Sequence, residues 1–167
     1  MILLDPEMEP DPAPQRRGTS PRALARFLAH AQASVGLPGE VTVLLTTDAT
    51  IRDLNRRFRG KDAATDVLSF PAADLLQNQE KGDLAISVET ARKQALEQGH
   101  TLAIELRVLI LHGLLHLAGY DHEADEGKME RRERRLRAAL GLPQGLIERT
   151  TVERASVRPR KTRRRKP

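Results

Sequence analysis

Three of the five histidines in this 167-residue chain fall within the eleven residues from His112 to His122. His112 and His116 are four positions apart, so on a helix their side chains lie about 40° apart around the axis and about 6 Å along it. Two imidazoles placed in this way can bind one ion. Gly119 can then end the helix in the left-handed conformation, and the turn can carry His122 back beside the other two. The spacing therefore indicates a metal site made of three histidines.

The chemistry of the ligands favours a catalytic ion. The chain has no cysteine, which excludes disulfides, thiolate zinc sites and a cysteine nucleophile. Three protein nitrogens with one open position are typical of catalytic zinc, whereas structural zinc usually has four protein ligands. The alternative is that His112 and His116 are core histidines bonded to carbonyls or carboxylates. An acid on each side of His122 favours the metal site. Tyr120 and Asp121 could orient His122, although packing in a turn explains them equally well.

Gly113 follows the first histidine of the pair, where a helical H-E-x-x-H metallopeptidase has the glutamate that acts as its general base. The missing glutamate argues against peptide hydrolysis. A reaction that mainly needs a Lewis acid and a metal-bound hydroxide stays open. Glycine inside a helix costs about 1 kcal/mol relative to alanine, which suggests that a neighbouring backbone or the substrate approaches closely here.

The segment 102–118 must position the histidine pair. Glu105 and Arg107 are its only charged residues, Thr101 can cap its start, and its second half is apolar on all sides, which predicts a central buried helix. The remaining pattern predicts an α+β fold of about four short strands flanked by helices. Strands are expected at 2–4, 41–46, within 65–71 and at 82–87, and helices at 21–35, 48–59, 89–98 and from about 129 to 140.

Two expectations concern the surroundings of the site. Ile51, Leu54 and Phe58 repeat at helical spacing, so all three are expected to face inward. His30 and His100 have no partner nearby in sequence. We assign neither of them a role and expect His100 at the surface.

The two ends differ in composition from the rest of the chain. Residues 1–143 are expected to form one domain, in which the proline-rich stretch 6–17 is a flexible loop. Residues 144–167 are expected to be a disordered basic tail. Seven Lys and Arg residues in 158–167 account for more than the net charge of +5, and without them the chain carries −2. Such a tail suits contact with phosphates or simply improves solubility.

Composition also bears on the compartment and on the binding mode. No basic segment followed by an apolar one opens the chain, and its longest apolar tract is shorter than the roughly 20 residues that span a bilayer, so we expect a cytoplasmic protein without a membrane segment. Four aromatic residues in the whole chain argue against a single-strand binder that stacks bases on aromatic platforms.

Three blocks of the sequence resemble the bacterial YbeY family. His112 to His122 matches the signature H-G-x-L-H-L-x-G-Y-D-H. Residues 55–71, with Arg59, Asp62 and the run T-D-V-L-S-F-P, are similar to a second block of that family, and residues 82–87 are similar to a third. The likeness covers about residues 18–142 in the expected order, and neither the stretch 6–17 nor the tail belongs to it.

The resemblance implies a single-strand-specific endoribonuclease that acts in ribosomal RNA maturation and ribosome quality control. Its partners would be ribosomal RNA and the small ribosomal subunit, and the protein would be a monomer or a weak oligomer. The three histidines would bind one zinc ion per chain, and Arg59 matches an arginine that the family needs for activity. A guanidinium at Arg59 can bind two phosphate oxygens. The implied fold is a small mixed sheet with helices around a central metal-binding helix.

We therefore hypothesise that zinc on His112, His116 and His122 polarises the scissile phosphate or supplies hydroxide, while Arg59 offsets phosphate charge. For Arg59, a favourable interaction with the end of a helix dipole is the alternative explanation. Two other functions stay open. One is a metal-dependent hydrolase of peptides or small molecules, and the other is a non-catalytic ribosome assembly factor with structural zinc.

Overall fold

A computed structural model of the chain describes residues 1–8, 18–73, 79–121 and 125–144. These residues form four strands and five helices, which confirms the α+β class. All but the first residue of the predicted disordered tail 144–167, and all but the first three residues of the predicted loop 6–17, lie outside the described residues. The elements in chain order are β1 (Ile2–Leu4), α1 (Pro21–Val35), β2 (Glu40–Thr46), α2 (Asp48–Arg59), β3 (Val67–Pro71), β4 (Glu80–Ser87), α3 (Val88–Gln98), α4 (Leu102–Leu117) and α5 (Lys128–Leu140).

Side-chain caps explain where the first four helices begin. The hydroxyl oxygens of Ser20, Thr47, Ser87 and Thr101 each accept a hydrogen bond from a backbone N–H in the first turn of α1, α2, α3 and α4, respectively. The cap at Thr101 was predicted from the sequence. Gly60, whose φ is +68°, ends α2 in the left-handed conformation and turns the chain toward β3.

The four strands form one mixed sheet in the order β1-β2-β4-β3. β1 and β2 run parallel, as do β2 and β4, whereas the edge strand β3 is antiparallel to β4. Alternate residues of β4 point to opposite faces. Leu84 and Ile86 join the main core, and Ala85 packs with Leu68 of β3 and Ile51 of α2 on the other side.

α4 lies against β3 and β4 and is in contact with α1, α3 and α5, so it is the central helix that its apolar sequence predicts. Its fit against the sheet depends on Gly113, where an added Cβ would lie 2.8 and 2.9 Å from the two methyl carbons of Leu84. The close approach expected at this glycine is therefore to the sheet. By length and composition, no single described helix could cross a membrane; α3 and α4 would qualify only together, and they meet at a bend of 112°.

Two expectations about side chains are wrong. Phe58 is 66% exposed and packs its ring edge-to-face on Phe70, at 5.3 Å between ring centroids. The buried apolar contact of α2 is made by Ile51, about two turns earlier, and the last turn of the helix extends beyond the core. His100 is not at the surface, because its side chain is only 11% exposed and contacts the buried carboxylate of Glu105.

Candidate metal centre

A cleft of about 590 Å³ brings together the predicted site residues that the structure describes. Arg59 reaches it from the end of α2, and His112 and His116 reach it from the second half of α4, more than fifty positions later in the chain. The third predicted ligand, His122, lies outside the described residues. The full lining is Arg59, Lys61, Asp66, Val67, Ser69, Pro71, His112, His116, Gly119, Tyr120 and Asp121.

The rings of His112 and His116 converge as the helical spacing predicts. Their Nε2 atoms lie 3.1 Å apart, and the rings meet at an interplanar angle of 75°. Two nitrogens that bind one tetrahedral zinc at about 2.0–2.1 Å lie about 3.3 Å from each other. The helical spacing therefore allows the two nitrogens to lie near the separation that a shared ion requires.

Glu133 of α5 orients the first of these rings. Its Oε2 lies 3.1 Å from Nδ1 of His112, and since a carboxylate can only accept, the Nδ1–H of His112 is the donor. This tautomer leaves the lone pair on Nε2, the nitrogen that faces His116. A carboxylate behind a metal-binding histidine fixes the ring and makes it a better ligand.

Arg137, one turn further along α5, holds Glu133 in place. Its Nε donates to Oε1 of Glu133 at 2.8 Å, its Nη2 donates to the same oxygen, and its Nη1 donates to the carbonyl of Pro143 at 2.9 Å. Burial by itself would raise the pKa of Glu133. The hydrogen bond from His112 and the charge of Arg137 outweigh burial and lower the pKa to about 2, so Glu133 is ionised at neutral pH.

The histidine pair and its support fit a divalent ion with imidazole ligands, but they do not form a complete site by themselves. Among residues 1–8, 18–73, 79–121 and 125–144, no three His, Asp or Glu side chains converge in an arrangement that could hold a metal. A metal bound by this pair would need a further ligand from elsewhere in the chain, and His122 follows directly after the cleft residues Tyr120 and Asp121. Its ligand role stays a prediction.

Two cations line the same cleft. Arg59 is exposed at the last position of α2, and Lys61 is exposed just after Gly60. Neither has a carboxylate partner in the described part of the chain. The arginines before them differ in this respect, because Arg56 and Arg57 both bond to the carboxylate of Asp53. The helix dipole accounts for a cation at Arg59 but not for one at Lys61, which lies beyond the helix.

Polar side chains from the second block complete the cleft. Oδ1 of Asp66 accepts from the N–H of Val67 at 2.7 Å, and its Oδ2 accepts from Nε2 of Gln94 at 3.1 Å. These bonds tie the loop after α2 to α3. The hydroxyl of Ser69 donates to the carbonyl of Gly113 at 3.4 Å and links β3 to α4.

Sequence reasoning missed part of this site. It gave no function to Glu133 in the last helix, and it did not single out Lys61 or Asp66. The signal for Glu133 is an acid and an arginine four residues apart on an otherwise apolar helix face. Tyr120 and Asp121 do line the cleft, whereas their predicted support of His122 concerns a residue outside the described ones.

The chain is similar over most of its length to proteins named endoribonuclease YbeY. A protein named endoribonuclease YbeY from Koribacter versatilis is 53% identical over 146 residues, which is 87% of this chain and 94% of that protein. Another of that name from Helicobacter pylori is 44% identical over 110 residues, covering 66% of this chain and 78% of that protein. A solution structure of a Thermotoga maritima protein matches with a TM-score of 0.54 and 26% identity over 97% of this chain and 100% of that one. The sequence profile described as endoribonuclease YbeY matches residues 16–141, a range that begins just before α1 and ends just after α5, and the chain belongs to this family.

Proposed function

We propose that this chain is a metal-dependent endoribonuclease that cleaves single-stranded RNA in the cleft between α4 and β3. One observation carries the proposal. Two convergent imidazoles and two cations without carboxylate partners among the described residues line the same cleft. Metal-binding nitrogens beside anion-binding groups suit a phosphodiester better than a neutral peptide. Membership of the endoribonuclease YbeY family supports the same reaction.

His112 and His116 would hold one zinc ion together with His122, which the family signature places third. Zinc bound there acts as a Lewis acid and lowers the pKa of water that it binds. The protein's own contribution is orientation: Glu133 takes the Nδ1 proton of His112 as a hydrogen bond and so directs the Nε2 lone pair into the cleft.

Arg59 and Lys61 would bind the phosphate. A guanidinium can donate to two phosphate oxygens at once, and the ammonium of Lys61 adds a second point charge. Asp66 fixes the loop that carries Lys61, through its bonds to Val67 and Gln94. These groups place a negatively charged phosphodiester beside the histidines and offset the charge that develops during cleavage.

The geometry of Gly113 argues against a peptidase. A side chain at this position would point at Leu84 on the sheet rather than into the cleft. A glutamate there would therefore not reach a substrate as the base of an H-E-x-x-H site does.

We further propose that the substrate is ribosomal RNA on or near the small ribosomal subunit, that the protein acts in the cytoplasm, and that it works as a monomer or a weak oligomer. The three sequence blocks shared with the YbeY family support the substrate. The lack of cysteine suits a reducing compartment.

Arg59→Gln, with Arg57→Gln as its matched control, tests the phosphate contact. Arg57 lies two positions earlier in the same exposed turn but bonds to Asp53 instead of lining the cleft. We expect Arg59→Gln to lower the cleavage rate of a single-stranded RNA by at least about tenfold, because one charged contact is lost, and to leave zinc content and melting temperature unchanged. Arg57→Gln should cleave like the wild type.

Two results would contradict the proposal. If Arg59→Gln unfolds the protein or leaves cleavage at the wild-type rate, Arg59 is a helix-end cation rather than a phosphate ligand. If protein with one bound zinc cuts casein but not RNA, the site belongs to a peptide hydrolase.

A further inference from the structure

The outer face of α5 carries a row of cations that the proposed cleavage site does not use. α5 contains six basic and two acidic residues. Its inner face is formed by Met129, Glu133, Leu136 and Arg137, all of which are buried. Lys128, Arg131 and Arg135 are exposed, and we call them the α5 stripe. They lie about 140–200° around the helix axis from Glu133, so the stripe faces away from the metal ligands.

Carboxylates of the described residues do not neutralise the charges of the α5 stripe. Arg131 donates to the backbone carbonyl of Glu126 and not to its carboxylate, and none of the three stripe residues has a carboxylate partner in the described ranges. On this side of α5, Arg134 forms an ion pair with Glu130 at 3.3 Å, and neither residue belongs to the stripe. The stripe therefore presents three positive charges over about 10 Å of rigid helix.

Helix stability does not explain this arrangement. Cations are favoured at the C-terminal end of a helix, yet Lys128 and Arg131 lie in the first turn, where the dipole disfavours them. Lys128 with Arg131 and Arg131 with Arg135 are also like-charged neighbours at the i, i+3 and i, i+4 spacings, which destabilise a helix. A polyanion on the outer face would remove both costs.

We propose that the α5 stripe binds the phosphate backbone of an RNA duplex adjacent to the single strand that enters the cleft. This inference rests on the proposed action on RNA. A duplex is favoured over a second single strand because the chain's four aromatic residues, Phe27, Phe58, Phe70 and Tyr120, all lie outside α5, whereas single-strand sites use aromatic stacking. A straight row of Lys and Arg suits regularly spaced phosphates. Because α5 stands between the stripe and the histidines, the duplex would be a different segment from the one that is cut.

The test compares two triple variants of the full chain. One replaces Lys128, Arg131 and Arg135 with Gln, which keeps helix propensity similar. The matched control replaces Arg22, Arg26 and Lys93 with Gln, and these are exposed cations on α1 and α3. Fluorescence anisotropy measures the affinity for a labelled RNA duplex at several salt concentrations, and the same proteins are assayed for cleavage of a short single-stranded oligonucleotide.

We expect the stripe variant to bind the duplex at least about tenfold more weakly, and the slope of log affinity against log salt to fall by about 3, close to one unit for each lost phosphate contact. Its affinity for a single strand of equal length should fall less, and oligonucleotide cleavage should stay at the wild-type rate. Circular dichroism and melting temperature check that both variants are folded.

Unchanged duplex affinity in the folded stripe variant would overturn the proposal, as would an equal loss in the control, which would show that only net charge matters. An equal loss for single strands would exclude the duplex as the partner. Failure of the wild type to cut any RNA would refute the proposed function, whereas duplex binding would still report on the stripe.

Discussion

Two histidine–carboxylate pairs lie at opposite ends of α4, and only one of them belongs to the cleft. Near the start of the helix, Nε2 of His100 contacts Oε2 of Glu105, and the two side chains are 11% and 1% exposed. In the second half, Nδ1 of His112 contacts Oε2 of Glu133, with exposures of 22% and 7%. The two pairs are chemically alike, yet their surroundings differ.

The two pairs differ in the contacts made by the second imidazole nitrogen and the second carboxylate oxygen. Nδ1 of His100 and Oε1 of Glu105 are buried and have no hydrogen-bond partner among the described residues. At the other pair, Nε2 of His112 faces the second imidazole, and Glu133 is held by Arg137. A histidine–carboxylate contact therefore does not make a metal site. A second imidazole at the other nitrogen and a cation behind the carboxylate distinguish the two pairs.

The largest effect should come from removing a histidine that is proposed to bind the metal beside the His112–Glu133 pair. We expect His116→Ala to abolish stoichiometric zinc and RNA cleavage, and His122→Ala to do the same if it is the third ligand, with affinity losses of more than about 100-fold because a direct metal bond is lost. His100→Ala is the matched control and should keep both zinc and activity. Metal analysis of protein purified without chelator, beside a cleavage assay, measures this. Normal cleavage by a zinc-free His116→Ala variant would refute the site.

The cation behind the carboxylate should matter most for stability. Glu133 and Arg137 are 5% and 4% exposed, so Arg137→Met leaves a buried carboxylate with one partner fewer. We expect the free energy of unfolding to fall by about 3–5 kcal/mol, as it does when one partner of a buried ion pair is removed. Chemical denaturation of zinc-free protein measures it. Adding Glu133→Leu to Arg137→Met should recover much of the loss, and if it does not, Arg137 acts through Pro143 instead.

The scaffold of the site was more predictable from the sequence than the contacts that orient it. Thr101 and Gly119 are local signals, and the structure has a capped start at Thr101 and a left-handed glycine with a φ of +90° where α4 ends. The convergence of His112 and His116 follows from helix geometry alone. Such features depend on neighbours within a few residues. The spacing of residue types along the sequence carries information over this short range.

The carboxylate behind His112 was not predictable in the same way. Glu133 is 21 positions from His112, and their contact depends on how α5 packs on α4. The prediction that His100 lies at the surface was wrong for a related reason, because the loop before α4 places its ring against Glu105. Periodicity gives the direction of a side chain around its own helix but not the element that covers it.

Replacing the carboxylate of each pair with an amide should have a smaller effect on zinc affinity, and this effect should differ between the two pairs. We expect Glu133→Gln to weaken zinc binding by about 10–100-fold, because an amide supports the basicity of His112 less well than a carboxylate. Glu105→Gln should leave zinc affinity unchanged, since its histidine faces no second ligand in the cleft. Competition with a chromophoric chelator measures both affinities. Equal losses in the two variants would show that the effect comes from the stability of α4 and not from the orientation of His112.

The smallest effect should come from changing the His100–Glu105 pair, which does not line the cleft. His100→Ala removes a hydrogen-bond partner of the Glu105 carboxylate, which is 1% exposed, and we expect a loss of about 1–3 kcal/mol in the free energy of unfolding from the unsatisfied group. The double variant His100→Ala with Glu105→Leu should recover most of this, because an apolar side chain needs no partner. Thermal or denaturant unfolding measures it, with zinc content as the second readout. A loss of zinc in the double variant would mean that the first pair also supports the metal centre, and the contrast between the two ends of α4 would then be wrong.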